Sequence, residues 1–231
     1  MTAPRPLILF LALVASPLAA AQDLGSEEIL ENLRSTAEAL TDVRFVLSGE
    51  LQEGDGSVIA LELEVAAIPD LQLARAEFVL PDALADNIVI VDGDAVYNYL
   101  FLTNQITILS ADDPDALGDL IEVPSEGADL DLSFDVSALF EGWDVEVLGY
   151  EESPVGDVYN LRFSNQNLGA EVSHVEAQVV DGEWVPYRLT LFDIDGSILT
   201  TLVFTDLVKD PGLEPAALRA LPADAEVFDE R

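Results

Sequence analysis

The chain has no cysteine, one histidine and one methionine, and its nine Lys and Arg stand against 45 Asp and Glu. Without thiols there is no disulfide, no lipid-modified N-terminal Cys and no thiolate nucleophile or metal ligand. His174 is the lone imidazole, on a strand whose parity carries it to the sheet surface, so neither zinc nor haem has a ligand set. No serine sits in a nucleophile elbow, and no glycine-rich phosphate loop occurs. Acid pairs such as Asp193/Asp195 or Glu62/Glu64 are inevitable at this composition and mark turns and solvent faces. Nothing here builds an enzyme or calls for a cofactor. The formal charge of −36 repels nucleic acid and anionic lipid headgroups, and fits a very soluble envelope or extracellular protein.

The N-terminus carries Arg5, an apolar run from Leu7 to Leu13, and Ala19-Ala20-Ala21 before Gln22. That is the anatomy of a secretory signal peptide over residues 1–21, with cleavage after Ala21. A single anchor helix is the competing reading. The run is broken at Ser16-Pro17 and falls short of the roughly 20 residues that span a bilayer. Residues 22–231 then make one domain, exported to the periplasm or cell envelope.

Ser26–Leu40 has a helical period: Ile29, Leu30, Leu33, Ala37 and Leu40 share one side, and Ser26 is placed to cap the first turn. Nearly everything after it alternates as strands do: 43–52, 57–67, 71–80, 87–91, 95–100, 105–109, 144–150, 157–163, 172–180, 183–192 and 197–205. Asp92-Gly93, Asp181-Gly182 and Asp195-Gly196 are hairpin turns. The third strand changes phase between Leu73 and Ala76, which predicts a bulge near Ala74. Tyr97 and Tyr99 share parity and point the same way, as a packed cluster or as ligand lining. Pro186 is expected to interrupt its ladder. The acidic interval 110–130 lacks the alternating ligands of a calcium loop and reads as solvated loop or flap, and 134–140 reads as a second short helix ending at Gly142. Pro215–Leu221 reads as a helical turn, followed by a tail able to add one more extended segment.

One long amphipathic helix and a meander of about eleven strands give the fold class: mainly β with an α-helical lid, an unclosed antiparallel β-barrel. A β-sandwich binding module is the competing architecture. An apolar cavity is expected inside, lined by Leu33, Phe45, Leu47, Leu61, Leu63, Phe78, Leu80, Tyr99, Leu161, Leu189 and Leu202. Such a cavity calls for an amphiphilic guest.

The C-terminal block carries a resemblance. Trp184-Val185-Pro186-Tyr187-Arg188-Leu189 runs through Phe192-Asp193-Ile194-Asp195-Gly196 into Leu202-Val203-Phe204. Asp210-Pro211-Gly212-Leu213 then leads to Leu221-Pro222 and Val227. With the helix entering Val43–Gly49 and the segment Val91-Asp92-Gly93-Asp94-Ala95-Val96-Tyr97, this order resembles the periplasmic outer-membrane lipoprotein carrier (LolA-like) family over residues 22–231. It departs from that pattern at Ile68-Pro69, where Arg commonly precedes Pro, at Tyr97, where Trp is common, and at Asp210, where Asn is usual. The resemblance implies an unclosed eleven-stranded barrel with helices as a lid. It also implies a monomeric carrier of the acyl chains of lipoproteins or lipids, with inner- and outer-membrane transport proteins as partners. A sensor or structural envelope protein on the same fold is the alternative.

Overall fold

Period-two apolar patterning commits the chain to strands that must bury one face, and the structure, a computed structural model, describes residues 24–52, 57–111, 142–165 and 172–231. The predicted leader and the 134–140 helix lie outside these residues, as does most of the acidic interval. Helix α1 (Ser26–Ala39) is followed by β1 (Val43–Gln52), β2 (Val58–Ile68), β3 (Leu73–Leu80), β4 (Ile88–Asp92), β5 (Ala95–Leu100) and β6 (Gln105–Ser110). Then come β7 (Asp144–Ser153), β8 (Gly156–Ser164), β9 (Val172–Val180), β10 (Val185–Asp193), β11 (Ile198–Lys209), the short helix α2 (Pro215–Leu218) and β12 (Glu226–Asp229).

All twelve strands form one sheet in the order β12-β6-β5-β4-β3-β2-β1-β11-β10-β9-β8-β7. Every neighbouring pair is antiparallel except β12, which runs parallel to β6. The two end strands do not pair with each other, so the sheet is an open half-barrel with the expected helix on one face. The twelfth strand is the C-terminal tail.

Cross-strand pairing sorts the side chains into two faces, because residues directly opposite each other point the same way. On the inner face, Leu47 of β1 sits between Leu63 and Phe204, and Leu189 lies between Leu202 and Ala177, which in turn faces Leu161. Helix α1 lies over the β8–β10 part of this face. Its fully buried Ile29 and Leu33 pack with Tyr159, Leu161, Phe163, Val175, Ala177 and Leu189. The helix starts at Gly25 and not at a Ser26 cap, since no side chain bonds the first-turn N–H groups.

The expected bulge at Ala74 is absent. Leu71 belongs to a 3-10 turn (Pro69–Leu71), Gln72 turns the chain at φ 48°, and Leu73 starts the strand pointing to the outer face. The third strand thus opens with an apolar residue on its outer face, ahead of Arg75 and Glu77, and carries Ala74, Ala76 and Phe78 on the inner one, which mimics a phase change in sequence. The actual register shift lies further on, between the Leu63–Phe78 and Glu62–Leu80 pairs. Pro186 does disturb its ladder, with a shift before Arg188. The outer face of β2–β6 is covered by the C-terminal segment. Leu213, Leu218, Leu221 and Ala225 pack on Leu73, Ile88, Ile90, Tyr99 and Ile106.

Candidate ligand-binding face

The residues nominated as cavity lining divide by face. Leu61, Leu63 and Phe78 cluster with Val65, Ala76, Val89 and Val96, with Phe45, Leu47 and Leu202 against them. Leu33 of α1 packs down onto Leu161 and Leu189 in the second group, and Leu202 touches this group too. These side chains share one inner face, and Phe45, Leu47, Leu202 and Phe204 mark the seam between its two halves. Phe45 and Phe204 meet there with ring centroids 5.4 Å apart. These four are half-buried, whereas Leu61, Leu63 and Phe78 are nearly inaccessible.

Two nominees stand elsewhere. Tyr99 is on the outer face, beneath the C-terminal segment, with its hydroxyl donating to Asn104 Oδ1 at 3.2 Å. Leu80 pairs with Glu62 beyond the register shift, out of line with Phe78. The bulge shifts the register at Leu80, and at Tyr99 the outer face is itself buried, so an apolar row there does not mark the inner side.

Sequence reasoning also missed three features of the inner face and its edge. Gly49 lies between Leu61 and Leu202, and a Cβ there would come within 2.6 Å of Thr201 O and 2.8 Å of Leu202 Cδ2. Asn98 projects to the inner face opposite Val89, and its Oδ1 is buried without a hydrogen-bond partner. An unsatisfied acceptor on an apolar face is costly in isolation and is suited to a donor on a guest. At the edge of the α1-covered half, Tyr159 stacks on Trp184 (5.9 Å) and meets Tyr150 at 4.8 Å. The Tyr150 hydroxyl donates to Asp181 Oδ2 at 2.7 Å and lies 3.2 Å from Asp157 Oδ2, and the Asp181 bond, then burial, pushes its ionisation well above the ordinary phenol value. Burial, followed by the charges of Asp181 and Glu28, raises Tyr159 as well. Both phenols stay neutral donors at physiological pH.

The C-terminal end of α1 is tied down. Thr41 donates from its N and its Oγ1 to Asp210 Oδ1 at 2.8 and 2.6 Å, Asp210 N donates to Asp42 O at 2.8 Å, and Gly212 N donates to Asp42 Oδ1 at 3.0 Å. The Thr41 hydrogen bonds hold the Asp210 carboxyl below its usual range. Nothing equivalent caps the other end of the helix. Two grooves flank this arrangement. One of about 460 Å³ runs between α1 and Trp184, Lys209 and Asp210. The other, of about 650 Å³, opens at the β1 bulge around Ala66, between Arg44 and Arg75 with Glu64, Glu77 and Asp206. Charged side chains rim both, so neither is the apolar cavity expected from sequence.

No family model matches the chain, and no curated protein matches it. Solved structures do. An uncharacterized conserved protein from Thermus thermophilus is 22% identical with a TM-score of 0.63, over 88% of this chain and 98% of that one. MucB in the Pseudomonas aeruginosa MucA/MucB complex is 15% identical with a TM-score of 0.50, over 87% of this chain. This chain spans 62% of the length of that one. A LolA superfamily protein from Nitrosomonas europaea is 13% identical with a TM-score of 0.42, over 85% of this chain and 98% of that one. The open half-barrel with a helix on one face is the fold of the Thermus thermophilus protein and of MucB. Helix α1 covers one half of the inner sheet face, and the seam at Phe45, Leu47, Leu202 and Phe204 is left half-exposed beside it. No helix among the described residues is long and apolar enough to cross a membrane.

Proposed function

We propose that the protein is an exported, non-enzymatic carrier that takes the acyl chains of lipoproteins or lipids between α1 and the inner sheet face, in the periplasm or cell envelope after removal of residues 1–21. The observation carrying this reading is the continuous apolar inner face, half of it under a helix fixed at one end only. Energetics are compatible with exchange. Ile29 and Leu33 are the helix's two fully buried anchors, each worth about 1.5–3 kcal/mol. Burying eight methylenes of an acyl chain, at about 0.8 kcal/mol each, matches that sum. The lid therefore swings about the Thr41–Asp210 clasp, its uncapped end moving furthest. The Asn98 acceptor takes a donor from the polar end of the guest, an amide N–H or a glycerol hydroxyl.

The deciding experiment is native mass spectrometry of the protein recovered from the envelope, followed by organic extraction, with uptake of a fluorescent fatty acid in parallel. Bound lipid or saturable uptake is expected. Repeated recovery of lipid-free protein with no uptake would turn the reading to a sensor or scaffold. That second reading is favoured by the likeness to MucB, which was solved in complex with MucA.

A further inference from the structure

Apolar side chains left in water are not spread evenly over the molecule. Val58 is 53% exposed, Phe101 50%, Leu102 83%, Ile194 70% and Ile198 43%. Strand directions place all five at the same end of the sheet. The β1–β2, β5–β6 and β10–β11 hairpins turn there, while the β2–β3, β4–β5, β7–β8 and β9–β10 turns lie at the other end. The opposite end exposes only Leu71 and Val155 among the described large apolar residues.

These tips are held out by built turns. Phe101 N donates to Asn87 Oδ1 at 2.9 Å, and Asn104 closes the same turn with its side chain donating to Asp224 O and its carbonyl accepting from Glu226 N. In the β10–β11 turn, Asp193 Oδ1 accepts from Asp195 N and Ser197 N at 2.9 and 2.7 Å, and Gly196 takes φ +81°. Leu102 and Ile194 are thus presented to solvent on braced scaffolds, where a loop free to move would fold its apolar residue inward.

The geometry points to this end as a membrane-contacting rim that inserts its hairpin tips into the surface of a zwitterionic bilayer. The tips belong to separate hairpins, with four strands lying between β5 and β11. At about 4.8 Å per strand spacing, they cannot form one contiguous patch for a shaped protein partner. A fluid interface has no shape to match and accepts staggered anchors, as amphipathic surface segments show. Charge selects the kind of bilayer. The titratable groups around the tips include Asp82, Asp86, Asp193, Asp195, Asp224, Glu226 and His174, with no Lys or Arg among the described residues of these turns, and the molecule carries −36. Anionic headgroups are repelled and neutral ones are not. This inference stands apart from the guest on the inner face, since an empty protein has the same rim.

The test is flotation of the full chain with phosphatidylcholine/phosphatidylethanolamine vesicles, compared with vesicles rich in phosphatidylglycerol. Each variant is read against the parent, so any contribution of residues 1–21 is common to all. The double change Leu102→Asp with Ile194→Asp should lower partitioning at least tenfold, while Leu71→Asp with Val155→Asp at the other end leaves it within twofold. Anionic vesicles should bind several-fold less at low salt. Circular dichroism checks the fold, and Leu102→Ser with Ile194→Ser replaces the aspartates should they unfold the chain. Absent vesicle binding by the parent, equal loss from both ends, or a rim-dependent dimer in sedimentation without vesicles would each overturn the assignment.

Discussion

At the residue scale, the missing side chain of Gly49 leaves room for Leu202 to fold across the seam between β1 and β11. Gly49→Ala should therefore destabilise the fold by about 1–3 kcal/mol through overpacking against the Thr201 carbonyl, which cannot rotate away as a side chain can. Thermal unfolding reads this directly, and an unchanged midpoint would show that β11 moves freely from β1. That requirement is set by β11 and visible only after pairing, so Gly49 is silent in sequence. Most of the inner row is legible there, because alternation is a local property: Phe45, Leu47, Leu61 and Leu63 declare their side by simple parity in two strands paired without a shift. Tyr99 and Leu73 are opaque because parity fixes relative sides and not which side is core, and an outer face buried under a distant segment looks identical in sequence.

At the element scale, α1 is the most legible element, since its apolar stripe and flanking acids are confined to one stretch. What the sequence could not reveal is how it is fastened, because the clasp joins Thr41 to Asp210 across 169 positions. Leu33→Asp places a charge between Leu161 and Leu189, where burial forbids it, so the lid should part while the sheet persists. Fatty-acid uptake should change by tenfold or more with the β-sheet circular dichroism retained. Unaltered uptake on an intact fold would remove α1 from the mechanism. The C-terminal segment is fastened differently. Arg219 donates Nε and Nη2 to the two oxygens of Asp92 at 2.6 and 2.7 Å, and this pairing holds the Asp92 carboxyl below its ordinary value. A depressed folded value contributes stability that is complete above the unfolded carboxylate pKa of about 3.9 and is lost as pH falls through the lower folded one. Hydrogen exchange in Ile88, Ile90 and Ile106 should thus accelerate below about pH 3.9 as the segment loosens. Arg219→Ala should show the faster exchange already at pH 7, with little further acid dependence.

At the scale of the whole molecule, 45 acidic side chains against nine basic ones set the long-range electrostatics. The described ion pairs are at the surface, from Arg34–Glu31 and Arg162–Glu176 to Arg219–Asp92, and exposed pairs contribute about 0–1 kcal/mol each. Salt weakens these attractions and the far more numerous repulsions together, and the excess of one sign decides which loss matters more. An open half-barrel feels this strongly, because its two end strands are not hydrogen-bonded to each other and the sheet can splay where a closed barrel could not. Raising ionic strength from 0.01 to 0.15 M shortens the screening length from about 30 to about 8 Å, so repulsion across the sheet is screened far more strongly. The unfolding midpoint should rise over that interval by several degrees, with most of the gain complete before 1 M. Sodium chloride rather than sulfate keeps the measurement electrostatic, since sulfate also strengthens apolar burial. A midpoint that falls with salt would mean that the few ion pairs outweigh the repulsion, and the acidity would then need a partner of opposite charge to explain it.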